Sequence, residues 1–175
     1  IIGCGDMGIG SARMVGRRHT LFLVDINEER LDASIAALRH DGYTVDGMRC
    51  DISDAAQVAG LGARMGETAG VKVLVHVAAI GNTGASWRKV LDVDLVAVKL
   101  VADAVGPHMV RGGVAIFISS TGAKFCPRDE RLYALIDDPL RPDLADRIRD
   151  LAGRELNFIE AYFIAKRGMN RLAER

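Results

Sequence analysis

The sequence opens with IIGCGDMGIG, in which two apolar residues precede a run of glycines and a helical pattern follows. Gly3, Gly5 and Gly8 have the spacing G-x-G-x-x-G. Glycine permits a sharp turn, and because it lacks a Cβ atom, a phosphate and a following helix can both come close to its backbone. The N-terminus of that helix offers free N–H groups and the positive end of its dipole. This order of strand, tight turn and helix predicts a turn that binds the pyrophosphate of a dinucleotide.

An aspartate at the end of the next apolar run supports this prediction. Asp25 closes the run TLFLVD. A dinucleotide-binding turn needs an acidic residue about 20 residues after its glycines, where it accepts hydrogen bonds from the adenosine ribose. The alternative is a strand-end residue that only caps the next helix. The glycine turn favours the ribose role.

Apolar strand patterns and amphipathic helix patterns alternate along the first two thirds of the chain. They predict a strand that ends at Ile2, strands over 21–25, 43–50, 71–77 and 114–120, helices over 8–19, 27–39, 53–65 and 87–110, and a loop over 78–86. Asn27 and Ser53 are the expected helix N-caps. This alternation predicts an α/β fold, a doubly wound parallel sheet in three α/β/α layers. Because Ile2 resembles the end of a longer strand, we expect the chain to begin within its first strand.

In such a sheet the carboxyl ends of the strands lie along one edge, and ligands bind there. Five residues follow or end the predicted strands: Gly3, Asp25, Asp51, Ala78 and Ser120. We therefore expect these residues to line one ligand site. We expect a single domain over 1–175, with an insertion at about 127–156 that is rich in proline and charge and contains a short helix over 141–156.

Composition excludes several classes of partner. The net charge is zero, with 23 basic and 23 acidic residues, so no basic field attracts nucleic acid or a membrane surface. No apolar run approaches the roughly 20 residues that a membrane helix needs. The three cysteines are far apart and the histidines have no metal-ligand spacing, so we expect no disulfide framework and no metal site, and a cytoplasmic location.

The last predicted helix carries a tyrosine and a lysine one turn apart. Tyr162 and Lys166 share a helix face, and Ser120 ends the fifth predicted strand. A phenol has a pKa of about 10, and an adjacent ammonium favours the phenolate. Tyr162 could then exchange a proton with a substrate oxygen that the Ser120 hydroxyl holds. The alternative to this catalytic role is that the Tyr162 ring packs into the core and Lys166 is a solvated surface charge.

These motifs together resemble the short-chain dehydrogenase/reductase family. The resemblance rests on GCGDMGIG, VDIN, CDIS, VLVHVAAIG, DVDLVAV, GPHM, GGVAIFISSTG and AYFIAKRGMNRL, in the family's order. It implies a Rossmann-type fold and Ser120, Tyr162 and Lys166 as catalytic residues, with Asp94 at a relay position that is usually asparagine. Family members continue beyond the length of this chain, so we expect truncation at both ends.

The resemblance also implies a nicotinamide cofactor. Its contacts would be Gly3, Gly5, Met7, Gly8, Ile9, Asp25, Ile26, Asp51, Ile52, Ala78, Ala79, Ile80, Tyr162 and Lys166. Asp51 and Ile52 would lie against the adenine, and Lys166 would also hold the nicotinamide ribose. Asp25, with no basic residue at Asp6 or Met7, would favour NAD(H) over NADP(H).

The chain departs from the family pattern in several places. Cys4 stands where the family has glycine, and HVAA replaces the usual Asn-Asn-Ala-Gly at the fourth strand. The long separation of Ser120 and Tyr162 is similar to that in the bacterial 3-alpha-hydroxysteroid dehydrogenase/carbonyl reductase subgroup. There the insertion serves subunit contact, which implies a homodimer or homotetramer; an active-site lid is the alternative.

The expected function is an NAD(H)-dependent oxidoreductase that interconverts an alcohol and a ketone or aldehyde, such as a steroid or another apolar carbonyl compound. Two alternatives stay open. A glycine-rich turn followed by an acid also occurs in S-adenosylmethionine-dependent methyltransferases. The second alternative is a non-catalytic nucleotide-binding module with the same fold.

Overall fold

The computed structural model describes residues 1–81 and 84–175, so part of the loop predicted over 78–86 lies outside the described residues. The chain divides into two compact units. The first contains Ile1–Ala78 and Val101–Ile118, and the second contains Ala79–Leu100 and Ser119–Arg175.

The first unit contains the parallel sheet. Its strands are β1 (Leu21–Asp25), β2 (Val45–Arg49), β3 (Val71–His76) and β4 (Met109–Phe117). β1 pairs with β2 and β3 pairs with β4, both in parallel. Ile2 joins the two pairs, because it forms parallel bridges to Val24 and His76. The sheet order is therefore β2, β1, Ile2, β3, β4, and the prediction of a parallel α/β fold is confirmed.

Three helices connect these strands: α1 (Asp6–Val15), α2 (Glu28–His40) and α3 (Ala55–Gly66). Apolar side chains of α1, α2 and the sheet form one core: Ile1, Cys4, Ala12, Leu21, Leu23, Leu31, Leu38, Val45 and Val75. Asn27 caps α2 as predicted, since its side chain accepts from the Arg30 N–H at 2.8 Å. The predicted cap of α3 is wrong. Asp54 accepts from the Ala56 N–H at 2.9 Å, whereas the Ser53 hydroxyl donates to Asp51 at 2.6 Å.

The helix predicted over 87–110 is interrupted. It consists of α4 (Trp87–Leu91), a π-helical turn (Asp92–Val96), α5 (Ala97–Val105) and a 3₁₀ turn (Gly106–His108). Pro107 lies in that 3₁₀ turn, and β4 begins directly after it. The strand predicted over 114–120 is therefore displaced towards the N-terminus. It ends at Phe117, and Ser120 instead caps a second 3₁₀ turn, Thr121–Phe125.

The second unit is helical and includes α6 (Glu130–Ile136), α7 (Leu144–Ala152) and α8 (Phe158–Ala173). The sequence did not predict α6, which Asp129 caps by accepting from the Arg131 N–H at 2.8 Å. α7 is shorter than the predicted 141–156 because Gly153 ends it with a left-handed φ of +67°. Asn157 and Glu160 form a capping box at the start of α8.

The core of this unit joins α4, the π turn and α6 to α8. Its buried apolar residues are Trp87, Val90, Leu91, Leu95, Cys126, Leu132, Tyr133, Leu135, Ile136, Leu144, Ile148, Leu156, Ala161, Ile164 and Ala165. The Trp87 indole N–H also donates to Glu155 at 2.5 Å. Within the described part of the chain, no helix combines the length and the apolar character needed to cross a membrane.

The two glycines of α1 differ in the space around them. A Cβ atom at Gly8 would lie 1.9 Å from the Gly3 carbonyl oxygen, whereas a Cβ at Gly10 meets nothing within 4 Å. We expect Gly8→Ala to lower the free energy of unfolding by about 1–3 kcal/mol, because backbone must move. Gly10→Ala, the matched control, should raise it by up to about 1 kcal/mol through helix propensity. Urea denaturation of both variants checks this, and equal effects would contradict it.

Candidate active site

The glycine turn has the close packing that the sequence predicts. Gly3 has φ +99°, and a Cβ atom there would lie 2.9 Å from the Ala78 nitrogen. Gly5 precedes α1, has open space around its Cα, and forms no side-chain cap within the described residues. The first N–H groups of α1 are therefore available to an anion, and the turn fits a dinucleotide pyrophosphate.

The carboxylate of Asp25 is fixed at the carboxyl end of β1. It is buried, and it accepts from the Cys4 N–H at 2.7 Å and the Asn27 N–H at 2.8 Å. A carboxylate has about four acceptor positions, so two backbone donors leave room for ribose hydroxyls. The Arg30 guanidinium lies 3.8 Å from the second carboxylate oxygen. The sequence analysis missed Arg30. Its position in the first turn of α2, the helix that follows Asp25, could have indicated that it lies near the Asp25 carboxylate.

The remaining predicted cofactor contacts of the first unit differ in exposure. Met7 and Ile26 are exposed by 61% and 53%, which is high for apolar side chains and fits residues that cover a ligand. Ile9 is half-buried and Ile52 is buried. The Asp51 carboxylate accepts from the Ser53 N–H at 2.9 Å, so this side chain is engaged in its own turn.

The second unit places Tyr162 and Lys166 side by side on α8. The Lys166 ammonium nitrogen lies 5.5 Å from the centroid of the Tyr162 ring. The Phe158 ring stacks with the Tyr162 ring, with their centroids 6.3 Å apart and an interplanar angle of 8°. Lys166 is only 2% exposed. The alternative of a solvated lysine is therefore wrong.

The segment that begins at Ser120 lies against the same tyrosine. The Ser120 hydroxyl oxygen accepts from the Gly122 N–H at 3.0 Å. At Gly122 a Cβ atom would come within 3.2 Å of the Tyr162 ring and 2.9 Å of the Phe163 ring. The neighbouring Ser119 hydroxyl donates to the Lys166 carbonyl at 3.3 Å. The structure thus brings the Ser120 turn onto the part of α8 that carries Tyr162.

Asp94 forms an ion pair with the predicted catalytic lysine. One carboxylate oxygen accepts from the Ile80 N–H at 2.8 Å, and the other lies 3.3 Å from the Lys166 ammonium. The side chains of Asp94 and Lys166 are 0% and 3% exposed. Burial raises the pKa of Asp94, and the Lys166 charge and the Ile80 N–H oppose that rise. The loop residue Ile80 and its exposed neighbour Ala79 complete the predicted contacts in this unit.

This second unit can therefore carry proton-transfer chemistry. A phenol, an ammonium and a hydroxyl-bearing turn are the parts that general acid–base catalysis needs. The cysteines do not compete with it, because burial raises the pKa of Cys4, Cys50 and Cys126 to about 11 and keeps the thiols protonated. Across residues 1–81 and 84–175 no group of His, Cys, Asp and Glu could hold a metal ion.

A glycine turn and a strand-end carboxylate at one edge of a parallel sheet define a dinucleotide-binding α/β protein. Comparison with known proteins gives the family. The sequence model of one protein family, described as enoyl-(acyl carrier protein) reductase, matches residues 7–136 of this chain. The chain belongs to the short-chain dehydrogenase/reductase family.

Individual proteins agree with this assignment. The protein named ketoacyl reductase 1 of the granaticin polyketide synthase of Streptomyces violaceoruber is 34% identical over 132 residues, which are 67% of this chain and 48% of that protein. A variant of actinorhodin polyketide ketoreductase with NADPH has a TM-score of 0.71 and 24% identity, over 98% of this chain and 60% of its own. A short-chain dehydrogenase/reductase of Burkholderia phymatum in complex with NAD has a TM-score of 0.72 and 21% identity. The match covers 99% of this chain and 56% of that protein chain.

Both structural neighbours confirm the Rossmann-type fold. The chain spans about half the length of the curated relative, 48%. The comparisons favour neither the methyltransferase nor the non-catalytic module. They do not confirm the 3-alpha-hydroxysteroid dehydrogenase/carbonyl reductase subgroup.

The buried ion pair gives a stability prediction. Lys166→Met leaves the Asp94 carboxylate buried without its cation, and we expect this to lower the free energy of unfolding by about 3–5 kcal/mol. Asp94→Asn should cost less, because its single amide oxygen keeps one of the two contacts of the carboxylate, to either the Ile80 N–H or the Lys166 ammonium. In the double variant Asp94→Asn/Lys166→Met the loss should be smaller than in Lys166→Met alone. Urea denaturation of all three checks this, and additive losses would argue against coupling.

Proposed function

We propose that this chain is the dinucleotide-binding and catalytic part of an NAD(H)-dependent oxidoreductase that interconverts an alcohol and a ketone or aldehyde. One observation carries the proposal: a buried lysine ammonium beside the ring of Tyr162, with the Ser120 turn packed on the same helix. The family match supports it. When bound, the nicotinamide dinucleotide supplies or accepts the hydride.

The chain's own residues would divide the remaining work. Tyr162 exchanges a proton between its phenolic oxygen and the substrate oxygen. Ser120 holds that oxygen through its hydroxyl. Lys166 stabilises the phenolate and binds the nicotinamide ribose. The glycine turn and Asp25 hold the pyrophosphate and the adenosine ribose, with Asp51 and Ile52 near the adenine.

A preference for NAD(H) rests on the charge of Asp25. Its carboxylate would accept from a ribose 2′-hydroxyl and repel a 2′-phosphate. The Arg30 guanidinium, 3.8 Å away, acts in the opposite sense. Because the carboxylate is buried and Arg30 is half-exposed, we propose that Asp25 decides the selectivity.

Charge removal at Asp25 tests this preference. We expect Asp25→Asn to lower the ratio of NADPH to NADH dissociation constants by about tenfold or more, equivalent to about 1.4 kcal/mol. Titration of both cofactors by quenching of Trp87 measures the ratio. Asp41→Asn removes an exposed carboxylate from the end of α2 and should leave the ratio unchanged. An unchanged ratio in Asp25→Asn would refute the role of this residue.

The substrate is proposed to be an apolar carbonyl compound such as a steroid. Apolar side chains surround the reactive tyrosine within the second unit. Phe158 and Phe163 contact its ring, and Phe125 and Ile159 are exposed by 70% and 56%. Apolar surface of this kind favours an apolar ligand.

The insertion at about 127–156 is proposed to form a subunit contact in a homodimer or homotetramer. Leu140, between α6 and α7, is an exposed apolar residue of this segment. An active-site lid is the alternative.

Removal of the phenolic hydroxyl tests the catalytic role. We expect Tyr162→Phe to lower kcat for carbonyl reduction by about 10²–10⁴-fold, the usual contribution of general acid–base catalysis. Tyr133→Phe is the matched control, since Tyr133 lies under the Arg167 and Arg171 guanidiniums and a phenyl ring keeps that contact. Steady-state kinetics measure both variants. Near-normal turnover of Tyr162→Phe would contradict the proposal.

A further inference from the structure

The charge of Asp94 is unusual beside a lysine that is expected to act on a phenol. The Asp94 carboxylate lies 3.3 Å from the Lys166 ammonium, and that ammonium lies 5.5 Å from the Tyr162 ring centroid. The three groups therefore form a chain of anion, cation and phenol inside one unit. Both charged side chains are almost completely buried, so water screens their fields weakly.

The contacts of Asp94 favour its ionised form and oppose the burial that raises its pKa. The Ile80 N–H donates to one oxygen and Lys166 faces the other, so each oxygen has a partner that favours the carboxylate. The combined charge of Asp94 and Lys166 is then zero. An asparagine at the same place would leave a net positive charge beside the phenol.

Other charged groups on the surrounding elements face elsewhere. On the π turn, Asp92 interacts with Lys89 and Arg88. On α8, the Arg167 guanidinium lies over the Tyr133 ring and Arg171 pairs with Asp137. Lys124, on the 3₁₀ turn after Ser120, is exposed. Among the described residues of this unit, Lys166 is the charged group that the structure records against Asp94.

Cancellation of the lysine charge changes which form of the phenol is favoured. A lone ammonium stabilises the phenolate, whereas a neutral ion pair stabilises it much less. Alcohol oxidation needs the phenolate as a base, and carbonyl reduction needs the phenol as an acid. A neutral pair therefore favours the reductive direction at and above neutral pH.

We propose that Asp94 is a positioning residue that cancels the field of Lys166 at Tyr162 and thereby equips this site to reduce carbonyl compounds rather than to oxidise alcohols. The inference rests on the proposed function. In the reductive step the carbonyl carbon gains a hydride from a reduced nicotinamide dinucleotide, which is oxidised. The carbonyl oxygen gains the phenolic proton of Tyr162, and the phenolate recovers a proton from water.

Direct titration of the phenol tests the electrostatic part. The protein is labelled with ¹³C at the oxygen-bearing ring carbon of tyrosine, and Tyr162→Phe identifies the Tyr162 signal among the three tyrosines of this sequence. We expect the Tyr162 signal of Asp94→Asn to titrate about one pH unit lower than that of the unsubstituted protein. Asp92→Asn, two residues away on the same π turn, is the matched control. In this variant the Tyr162 signal should titrate as in the unsubstituted protein. Asp94→Ser serves as a second neutral variant if Asp94→Asn folds poorly.

The pH dependence of turnover tests the directional part. In Asp94→Asn the alkaline limb of carbonyl reduction should move down by about one pH unit, and the acid limb of alcohol oxidation should move down with it. An unchanged or higher titration of Tyr162 in both neutral variants overturns the proposal. A shifted titration without turnover in any variant retains the charge cancellation, and overturns the proposed function together with the reductive direction.

Discussion

The contact between Gly8 and the carbonyl of Gly3 is the constraint on which the first unit depends. A single added carbon would lie 1.9 Å from that oxygen, so α1 can approach the strand end only with glycine at this place. The approach sets the direction in which α1 leaves the sheet and leaves its first N–H groups uncapped. Gly3 itself fits closely beside Ala78, two residues after the end of β3. A packing requirement and a binding geometry therefore arise from the same atoms.

A second constraint governs the helical unit. Lys166 and Asp94 are both removed from water, and each charge is tolerable only because the other is present. The π turn and α8 must therefore stay in register. Leu95, next to Asp94, lies so close to Gly168 that a Cβ there would come within 2.5 Å of its side chain. Tyr162 lies one turn before Lys166 on α8, so the helix that pairs with Asp94 also carries the Tyr162 ring.

The glycine contact and the buried ion pair differ in their sensitivity to pH. The glycine contact is steric and independent of pH, so the turn keeps its form wherever the chain is folded. The ion pair is electrostatic, and its effect on a neighbouring phenol depends on the protonation of Asp94. Binding of a dinucleotide and proton transfer to a substrate are therefore expected to respond differently to pH.

The sequence alone determined the fold class and the elements of the sheet, and it named the residues of the candidate site. Glycine spacing and the apolar run before Asp25 are local signals, because turn geometry and strand burial depend on neighbouring residues. The boundaries of the helices and strands were harder to predict from the sequence. The strand predicted over 114–120 begins at Met109, and α6 was missed, since its cap Asp129 stands among prolines and charges that resemble a loop.

Tertiary structure alone decided the electrostatics of the site. The pairing of Asp94 with Lys166 joins residues far apart in the chain, and the proximity of Arg30 to Asp25 depends on how α2 leaves β1. The sequence pattern alone left open a solvated Lys166, and only packing shows that it is buried. Charge, burial and distance act through space, so a linear pattern can supply the groups but not the field that they produce.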